Sequence, residues 1–137
     1  MSLVVDASAT LAWVYPIETT PLIEAVFDKV IVEDAWVPSF WRIEVANSLA
    51  WGVRHGRMSL SKSNGAFADL SCLPIFDDRE TELHAWDNTL LLADRHQLTV
   101  YDAAYLELAL RLLLPLATLD EDLRKAAQHE GIPLLGK

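Results

Sequence analysis

With 137 residues, the chain has the size of one domain, and its 52% of hydrophobic residues and five Trp exclude a disordered protein and predict a substantial core. The formal net charge of −9 is unfavourable for a nucleic-acid-binding protein, because phosphate affinity normally comes from Lys and Arg. No repeat, linker or low-complexity tract interrupts the sequence, so residues 1–137 are predicted to form a single domain.

The N-terminal residues and the cysteine content both indicate the cytoplasm. No basic region precedes the apolar run from Leu3 to Val5, which is too short for the core of a signal peptide. The longest apolar stretch, residues 112–119, is far shorter than the roughly 20 residues that a membrane helix needs. The single cysteine, Cys72, excludes an internal disulfide and is expected in the core. We therefore expect a soluble cytoplasmic protein with no membrane contact.

Short apolar runs alternate with helical patterns, as in a parallel sheet covered by helices on both faces. The predicted strands are residues 3–6, 35–37, 73–76, 115–119 and 133–135. The predicted helices are a short one ending near residue 15, residues 20–30, 40–55, 61–72 and 80–96, one that begins at residue 101, and residues 121–130. This order predicts an α/β fold, a three-layer α/β/α sandwich with a central parallel sheet.

Residue spacing assigns faces to three of these helices. On the helix 40–55, the residues that share a stripe with Glu44 are Phe40, Asn47, Ser48, Trp51 and His55. On the helix 80–96, the residues expected to point inward are Leu83, Trp86, Leu90 and Ala93. On the helix from residue 101, Asp102 lies with Tyr105, Leu106 and Ala109, while Glu107 and Arg111 point the other way.

Four acidic residues adjoin apolar runs or lie on a partly inward helix face. They are Asp6, Glu44, Asp102 and Asp120. Asp6 and Asp120 follow predicted strands, and ligands of open α/β sheets collect at the carboxyl ends of the strands. Carboxylates in such places lose hydration that only a cation or a hydrogen bond replaces. We therefore expect the four acids to meet in one cluster around a cation.

Oxygen ligands of this kind favour a hard divalent ion, Mg²⁺ or Mn²⁺, and the chain has no Cys or His set with zinc spacing. Such an ion lowers the pKa of bound water and stabilises the charge on a phosphodiester under attack, which is nuclease chemistry.

Each acid also has a structural alternative. Asp6, Asp102 and Asp120 are suited to capping helices, and Glu44 is suited to pairing with an arginine.

The 11 basic residues are sparse except in one segment of the chain. That segment contains Arg42, Arg54, His55, Arg57 and Lys62. A solvated helix face followed by a polar turn explains it as well as contact with a nucleic-acid backbone does. If the second interpretation holds, Arg42, Arg54 and Lys62 are the candidate contacts.

Four local motifs occur in an order that is more specific than any one of them. They are Val5-Asp6-Ala7-Ser8, Val37-Pro38-Ser39 before the helix with Glu44, Tyr101-Asp102-Ala103-Ala104-Tyr105, and Thr118-Leu119-Asp120. In this order and spacing the chain resembles the PIN-domain nucleases over nearly its full length. Within that family it is similar to the VapC-type toxins of toxin-antitoxin pairs.

The resemblance implies a Mg²⁺-dependent ribonuclease that forms a homodimer and is inhibited by a cognate antitoxin protein. The residues that match the family's acidic metal-binding positions are Asp6, Glu44, Asp102 and Asp120. Ser8 and Thr118 match hydroxyl positions that support the same site. Asp122 is a candidate outer carboxylate, with a solvated first-turn Asp favoured by the helix dipole as the alternative.

Two other functions fit parts of the pattern. The segment Asp6-Ala7-Ser8-Ala9-Thr10 is similar to the first motif of haloacid-dehalogenase-like phosphatases, and Asp77-Asp78 resembles their later acidic pair. However, Ser8 replaces the second Asp of that motif, which serves as the general acid. The other alternative is a catalytically silent PIN-like module that binds a partner through exposed aromatic residues.

Overall fold

The computed structural model describes all residues from Met1 to Lys137. Its five strands are β1 Leu3–Val5, β2 Ala35–Pro38, β3 Ile75–Asp78, β4 Leu116–Ala117 and β5 Leu134–Leu135. Its seven α-helices are α1 Ala7–Val14, α2 Pro21–Glu33, α3 Trp41–Arg54, α4 Leu60–Ser71, α5 Asn88–His96, α6 Val100–Leu112 and α7 Glu121–His129. Two 3₁₀ turns span Pro16–Glu18 and Glu82–His84. None of the helices is both long enough and apolar enough to cross a membrane.

The sheet is parallel throughout, with the strand order β3-β2-β1-β4-β5. The central strand is β1, in which Val4 pairs with Trp36 of β2 on one side and with Leu116 of β4 on the other. Every residue of β1 is buried, as expected for a strand covered on both faces. The predicted α/β/α sandwich is confirmed. Because β1 and β4 are neighbours, the residues that follow them lie side by side.

Helix α6 crosses the centre of the molecule. Residues 103–109 are all buried, and the helix packs against β1, β2 and β4. Three Ala in that stretch, Ala103, Ala104 and Ala109, let the helix backbone come close to the strands. The first turn of α6 is thereby held near the ends of β1 and β4.

The predicted helix 80–96 is wrong in its first half. A 3₁₀ turn occupies Glu82–His84, and α5 begins only at Asn88. Asp78 causes the difference, because its carboxylate accepts hydrogen bonds from the Glu80 N–H and the Thr81 hydroxyl. Such local bonds compete with helix formation. Of the four side chains expected to point inward, only Ala93 is buried; the exposed ones are Leu83, Trp86 and Leu90.

The end of α4 also differs from the sequence-based expectation. Cys72 is exposed at the C-cap of α4 and is not a core residue. Backbone N–H groups of Cys72 and Leu73 still donate to carbonyls of α4, so the chain becomes extended only at Ile75. Strand β3 therefore lies two residues later than predicted.

The tryptophans contribute unequally to the core, since Trp41 is 1% exposed and Trp86 is 94% exposed.

A buried ion cluster joins the end of β3 to α6. The Arg111 guanidinium donates to Asp78 Oδ2 at 2.5 Å and to Glu107 Oε2 at 2.8 Å. Burial alone would raise the pKa of Asp78, but the hydrogen bonds and charge of Arg111, together with hydrogen bonds from the Glu80 N–H and the Thr81 hydroxyl, lower that pKa below its usual value. The prediction that Glu107 and Arg111 point away from Asp102 is consistent with this arrangement. The sequence did not indicate that Asp78 completes the cluster.

Two helical glycines differ in the space around them, and we expect their alanine variants to differ in stability. Gly65 on α4 has open space around it, so Gly65→Ala should raise the free energy of unfolding by about 1 kcal/mol. A Cβ at Gly52 on α3 would overlap the Tyr15 hydroxyl. Gly52→Ala should therefore not show that gain, and its free energy of unfolding should fall below that of the wild type by about 1 kcal/mol.

Urea unfolding of the two variants measures this difference. The Tyr15 ring carbon Cζ would lie 3.5 Å from the new Cβ, an ordinary contact. Tyr15→Phe should therefore rescue Gly52→Ala. Equal stability of the Gly52→Ala and Gly65→Ala proteins would contradict the prediction.

Candidate metal centre

Asp6 is the most buried of the four candidate acids, at 4% exposure. It directly follows β1 and is the N-cap of α1, where its Oδ1 accepts from the Ala9 N–H at 2.9 Å. The Ser8 hydroxyl donates to the same oxygen at 2.7 Å, and the Thr118 hydroxyl donates to Oδ2 at 2.5 Å. Both predicted supporting hydroxyls therefore contact Asp6 directly.

The same two hydroxyls connect the end of β1 to the segment that follows β4. Ser8 Oγ accepts from the Leu119 N–H at 2.9 Å, and Thr118 Oγ1 accepts from the Asp120 N–H at 3.1 Å. The two hydroxyl oxygens lie 3.4 Å apart. This network holds Asp6 beside the backbone of Asp120.

Asp102 and Asp120 each lie in or before the first turn of a helix. Asp120 is the N-cap of α7, and its Oδ1 accepts from the Leu123 N–H at 2.8 Å. Asp102 does not cap α6, because Thr99 occupies that position and accepts from the Asp102 N–H. Asp6 and Asp120 therefore cap helices, as the structural alternative predicted, and that prediction is wrong for Asp102. Asp122 is exposed in the first turn of α7.

Glu44 projects from the first turn of α3 and accepts a 2.5 Å hydrogen bond from the Tyr105 hydroxyl of α6. Tyr105 is 1% exposed, so this bond fixes Glu44 to the core. Burial, followed by the Glu44 charge, raises the pKa of Tyr105, so its hydroxyl remains a donor. Glu44 has no arginine partner. The sequence placed Tyr105 on the face of Asp102 but gave it no role.

The pKa values of three of the acids are raised, by burial first and then by the like charges of neighbouring acids. Burial is the largest cause that raises the pKa of Asp6, to about 6, and the Asp102 charge adds to it. Burial also raises the pKa of Glu44, again with Asp102 adding to the effect. The pKa of Asp102 is raised by burial first and then by the charge of Asp120. Asp102 therefore interacts electrostatically with the other three acids.

No cation balances this acidic centre. None of the ion pairs in the chain includes Asp6, Glu44, Asp102 or Asp120. No three Asp, Glu, His or Cys side chains stand in a metal-coordinating arrangement, so closing the centre around an ion requires side-chain movement. The donors are carboxylate and hydroxyl oxygens, which suit Mg²⁺ or Mn²⁺. The chemistry of the residues present therefore fits a hard divalent ion.

The three basic candidates lie outside this centre. Arg42 is exposed and pairs with Asp77, with 3.3 Å between Nε and Oδ2. Arg54 and Lys62 are exposed and take part in no ion pair. No basic side chain contacts the four acids in the structure.

Residues 3–129 match the sequence model of the PIN domain. This chain belongs to the PIN domain family. PIN domains are generally nucleases and typically use divalent metals, which agrees with the uncompensated acidic centre. The sequence-based assignment to this family is confirmed. A comparison with curated proteins finds no match.

Two solved structures are similar to this PIN domain over nearly the whole chain. PAE2754 from Pyrobaculum aerophilum is 27% identical with a TM-score of 0.70, and the match covers 98% of this chain and 92% of that one. FitAcB from Neisseria gonorrhoeae is 18% identical with a TM-score of 0.62, covering 99% and 97%. The second likeness concerns the fold alone.

Proposed function

We propose that this PIN domain is a Mg²⁺-dependent endoribonuclease, with Mn²⁺ as an alternative ion, that acts as the toxin of a toxin-antitoxin pair. The observation that carries the proposal is the set of four carboxylates without a cationic partner. Burial raises the pKa of Asp6, Glu44 and Asp102, and the charge of Asp102 adds to the first two shifts, as the charge of Asp120 adds to the third. A centre of that kind is stabilised by a divalent ion, and an ion there suits phosphodiester hydrolysis.

In this proposal Asp6, Asp102 and Asp120 hold the ion, and Ser8 and Thr118 keep the Asp6 carboxylate in its orientation. A bound divalent ion supplies charge stabilisation on the phosphate and a lower pKa for a bound water. Asp122 is exposed two residues beyond Asp120 and serves at most as an outer carboxylate.

Glu44 completes the shell of the ion in this proposal and orients or deprotonates the attacking water, for which it is the proposed base. Burial raises its pKa above the ordinary value, so its carboxylate accepts a proton more readily than a solvated glutamate does. The Tyr105 hydroxyl bonds to Oε1 and leaves Oε2 as the oxygen available to the water. Tyr105 acts through Glu44 and is a positioning residue.

The proposed partners are RNA, a cognate antitoxin and a second copy of the chain in the cytoplasm. The toxin role rests on the similarity of the ordered motifs to VapC-type toxins. The homodimer is supported by apolar side chains with no partner in the chain, since Leu83 is 74% and Trp86 94% exposed. Exposed apolar groups of this size are typical of interfaces.

The phosphatase alternative has little support. Ser8 lies where a second Asp would be needed, and its hydroxyl is bonded to Asp6 and the Leu119 N–H. The acidic pair at the end of β3 is occupied, because Asp77 pairs with Arg42 and Asp78 with Arg111.

The test of the proposed function is RNA cleavage by the purified protein in Mg²⁺, in Mn²⁺ and in EDTA. We expect cleavage with either ion and none in EDTA, because four unbalanced carboxylates repel a phosphate unless an ion lies between them. A phosphate monoester such as p-nitrophenyl phosphate should not be hydrolysed. Cleavage that persists in EDTA would contradict the mechanism, and absence of cleavage under all conditions would favour the silent module.

A further inference from the structure

An apolar notch of about 260 Å³ adjoins the acidic centre. Phe40, Ile43, Asn47 and Tyr101 line it together with Glu44, the proposed base. Tyr101 also directly precedes Asp102 in the first turn of α6. The notch therefore shares Glu44 with the centre, and its residue Tyr101 is next to Asp102 in the sequence.

The notch presents an aromatic surface to solvent. Tyr101 is 64% exposed and Ile43 is 75% exposed, although both are large apolar side chains. Phe40 supports the Tyr101 ring in an edge-on contact, with 5.3 Å between the ring centroids. Phe40 makes a second edge-on contact with Tyr105, at 5.7 Å, which ties the aromatic group to the residue that bonds Glu44.

The notch contains no cation. Its lining includes no Lys or Arg, and the chain has a net charge of −9. Affinity for a nucleic acid at this position therefore has to come from stacking and base-edge hydrogen bonds rather than from phosphate contacts. Asn47 is exposed and lines the notch, and its side-chain amide makes no hydrogen bond within the chain.

We propose that the notch is a nucleobase subsite, in which an unpaired base next to the cleaved phosphodiester stacks on Tyr101 and pairs through its edge with the Asn47 amide. The proposal rests on the ribonuclease activity proposed above. A base inside a duplex is stacked on its neighbours and does not reach Tyr101. Side-chain stacking of this type is the common mode of single-strand recognition.

Substitutions at Tyr101 test the stacking. We expect Tyr101→Ala and Tyr101→Leu to lower kcat/KM on a single-stranded oligoribonucleotide on the order of 10- to 100-fold, chiefly through KM. Tyr101→Phe keeps the ring and should retain nearly full activity. Leucine keeps apolar bulk without an aromatic face, so wild-type activity in Tyr101→Leu would overturn the stacking.

Substrate changes make the test specific to the base. Removing the base beside the cleaved bond should impair the wild-type protein and have little further effect on Tyr101→Ala, because the two changes delete the same contact. The duplex of the same sequence should be cleaved poorly by both proteins. Asn47→Ala should change the ranking of the four bases at that position, whereas Tyr101→Ala should weaken all four. Additive losses, or an unchanged ranking, would overturn the proposal.

Binding separates this proposal from the proposed function. Fluorescence anisotropy of a labelled single strand is measured in an Asp6→Asn background, with and without Tyr101→Ala. If the wild-type protein cleaves no RNA but Tyr101→Ala weakens binding, the subsite stands without the nuclease. Unchanged binding would overturn the subsite. Dissociation of a dimer by Tyr101→Ala in sedimentation, with unchanged RNA binding, would assign the notch to a second copy and equally overturn it.

Discussion

Replacing Asp6 by asparagine is expected to abolish RNA cleavage and, in metal-free buffer, to make the protein more stable. The loss of cleavage should reach about a thousandfold, because charge stabilisation by a bound ion supplies several kcal/mol. The gain in stability arises because burial raises the pKa of Asp6 from its ordinary 3.8 to about 6. A rise of that size corresponds to about 3 kcal/mol.

The gain in the free energy of unfolding of Asp6→Asn depends on pH in a defined direction. Between about pH 4 and pH 6 the unfolded chain releases the Asp6 proton while the folded chain retains it. The free energy of unfolding of the wild-type protein therefore falls through that range and stays lower above it. Asparagine does not ionise, so the variant should match the wild type below pH 4 and exceed it by about 3 kcal/mol at pH 8.

The hydrogen bonds of Asp6 are compatible with asparagine. Its Oδ1 accepts from the Ser8 hydroxyl and the Ala9 N–H, as an amide oxygen does. An amide nitrogen in place of Oδ2 would face the Thr118 hydroxyl, which is able to accept. The substitution therefore removes the charge with little loss of structure.

Urea unfolding in EDTA at pH 4 and pH 8 measures the stability difference, with exposed Asp69→Asn as the control that should show none. Adding Mg²⁺ should stabilise the wild-type protein and leave Asp6→Asn unchanged, because the proposed ion site requires the Asp6 carboxylate. A variant less stable than the wild type at pH 8 would show that the hydrogen bonds of Asp6 outweigh the effect of its burial.

Arg111→Leu is expected to lower the free energy of unfolding by about 3 kcal/mol. The substitution removes the only cation that pairs with Asp78 and Glu107, whose side chains are 7% and 5% exposed. Two buried carboxylates would remain without a partner, and an unpaired buried charge is far more destabilising than a missing pair. The loss should diminish as the pH falls, because protonation of Asp78 removes its unpaired charge.

The matched control is Arg95→Leu. Arg95 also bonds a glutamate, Glu130, at 2.9 Å, but its side chain is 58% exposed. Exposed ion pairs contribute about 0–1 kcal/mol, so this variant should be nearly as stable as the wild type. The stability of Arg111→Lys should fall between those of Arg111→Leu and Arg95→Leu, since lysine keeps the charge and loses the paired donors. Equal effects of Arg111→Leu and Arg95→Leu on urea unfolding would contradict the prediction.

The sheet and the candidate acids were accessible from the sequence because their signals are local. An apolar run followed by Asp, as at Val5 and Asp6, indicates both a buried strand and an acid at its end. Parallel order then brings Asp6 and Asp120 to the same edge without any knowledge of side-chain contacts. The roles of these acids remain a prediction that the experiments above decide.

The errors and omissions concern contacts between distant residues. The Asp78–Arg111 pair joins residues 33 apart, and no local pattern in the sequence indicates it. The same Asp78 turns the chain at Thr81 and so overrides a helical pattern in which Leu83 and Trp86 had the spacing of core residues. The Tyr105–Glu44 bond likewise joins residues 61 apart. Helical periodicity describes one segment and carries no information about such partners.

The bond between Thr118 and Asp6 joins residues 112 apart, and β4 is the strand that brings them together. A ribosome making this chain releases β1 before β4. Until β4 pairs with β1, Asp6 lacks the hydroxyl of Thr118 and has no Asp120 beside it. The proposed metal centre therefore forms on the nascent chain only after β4 and Asp120 have left the ribosome, so the proposed ribonuclease activity does not begin before that point.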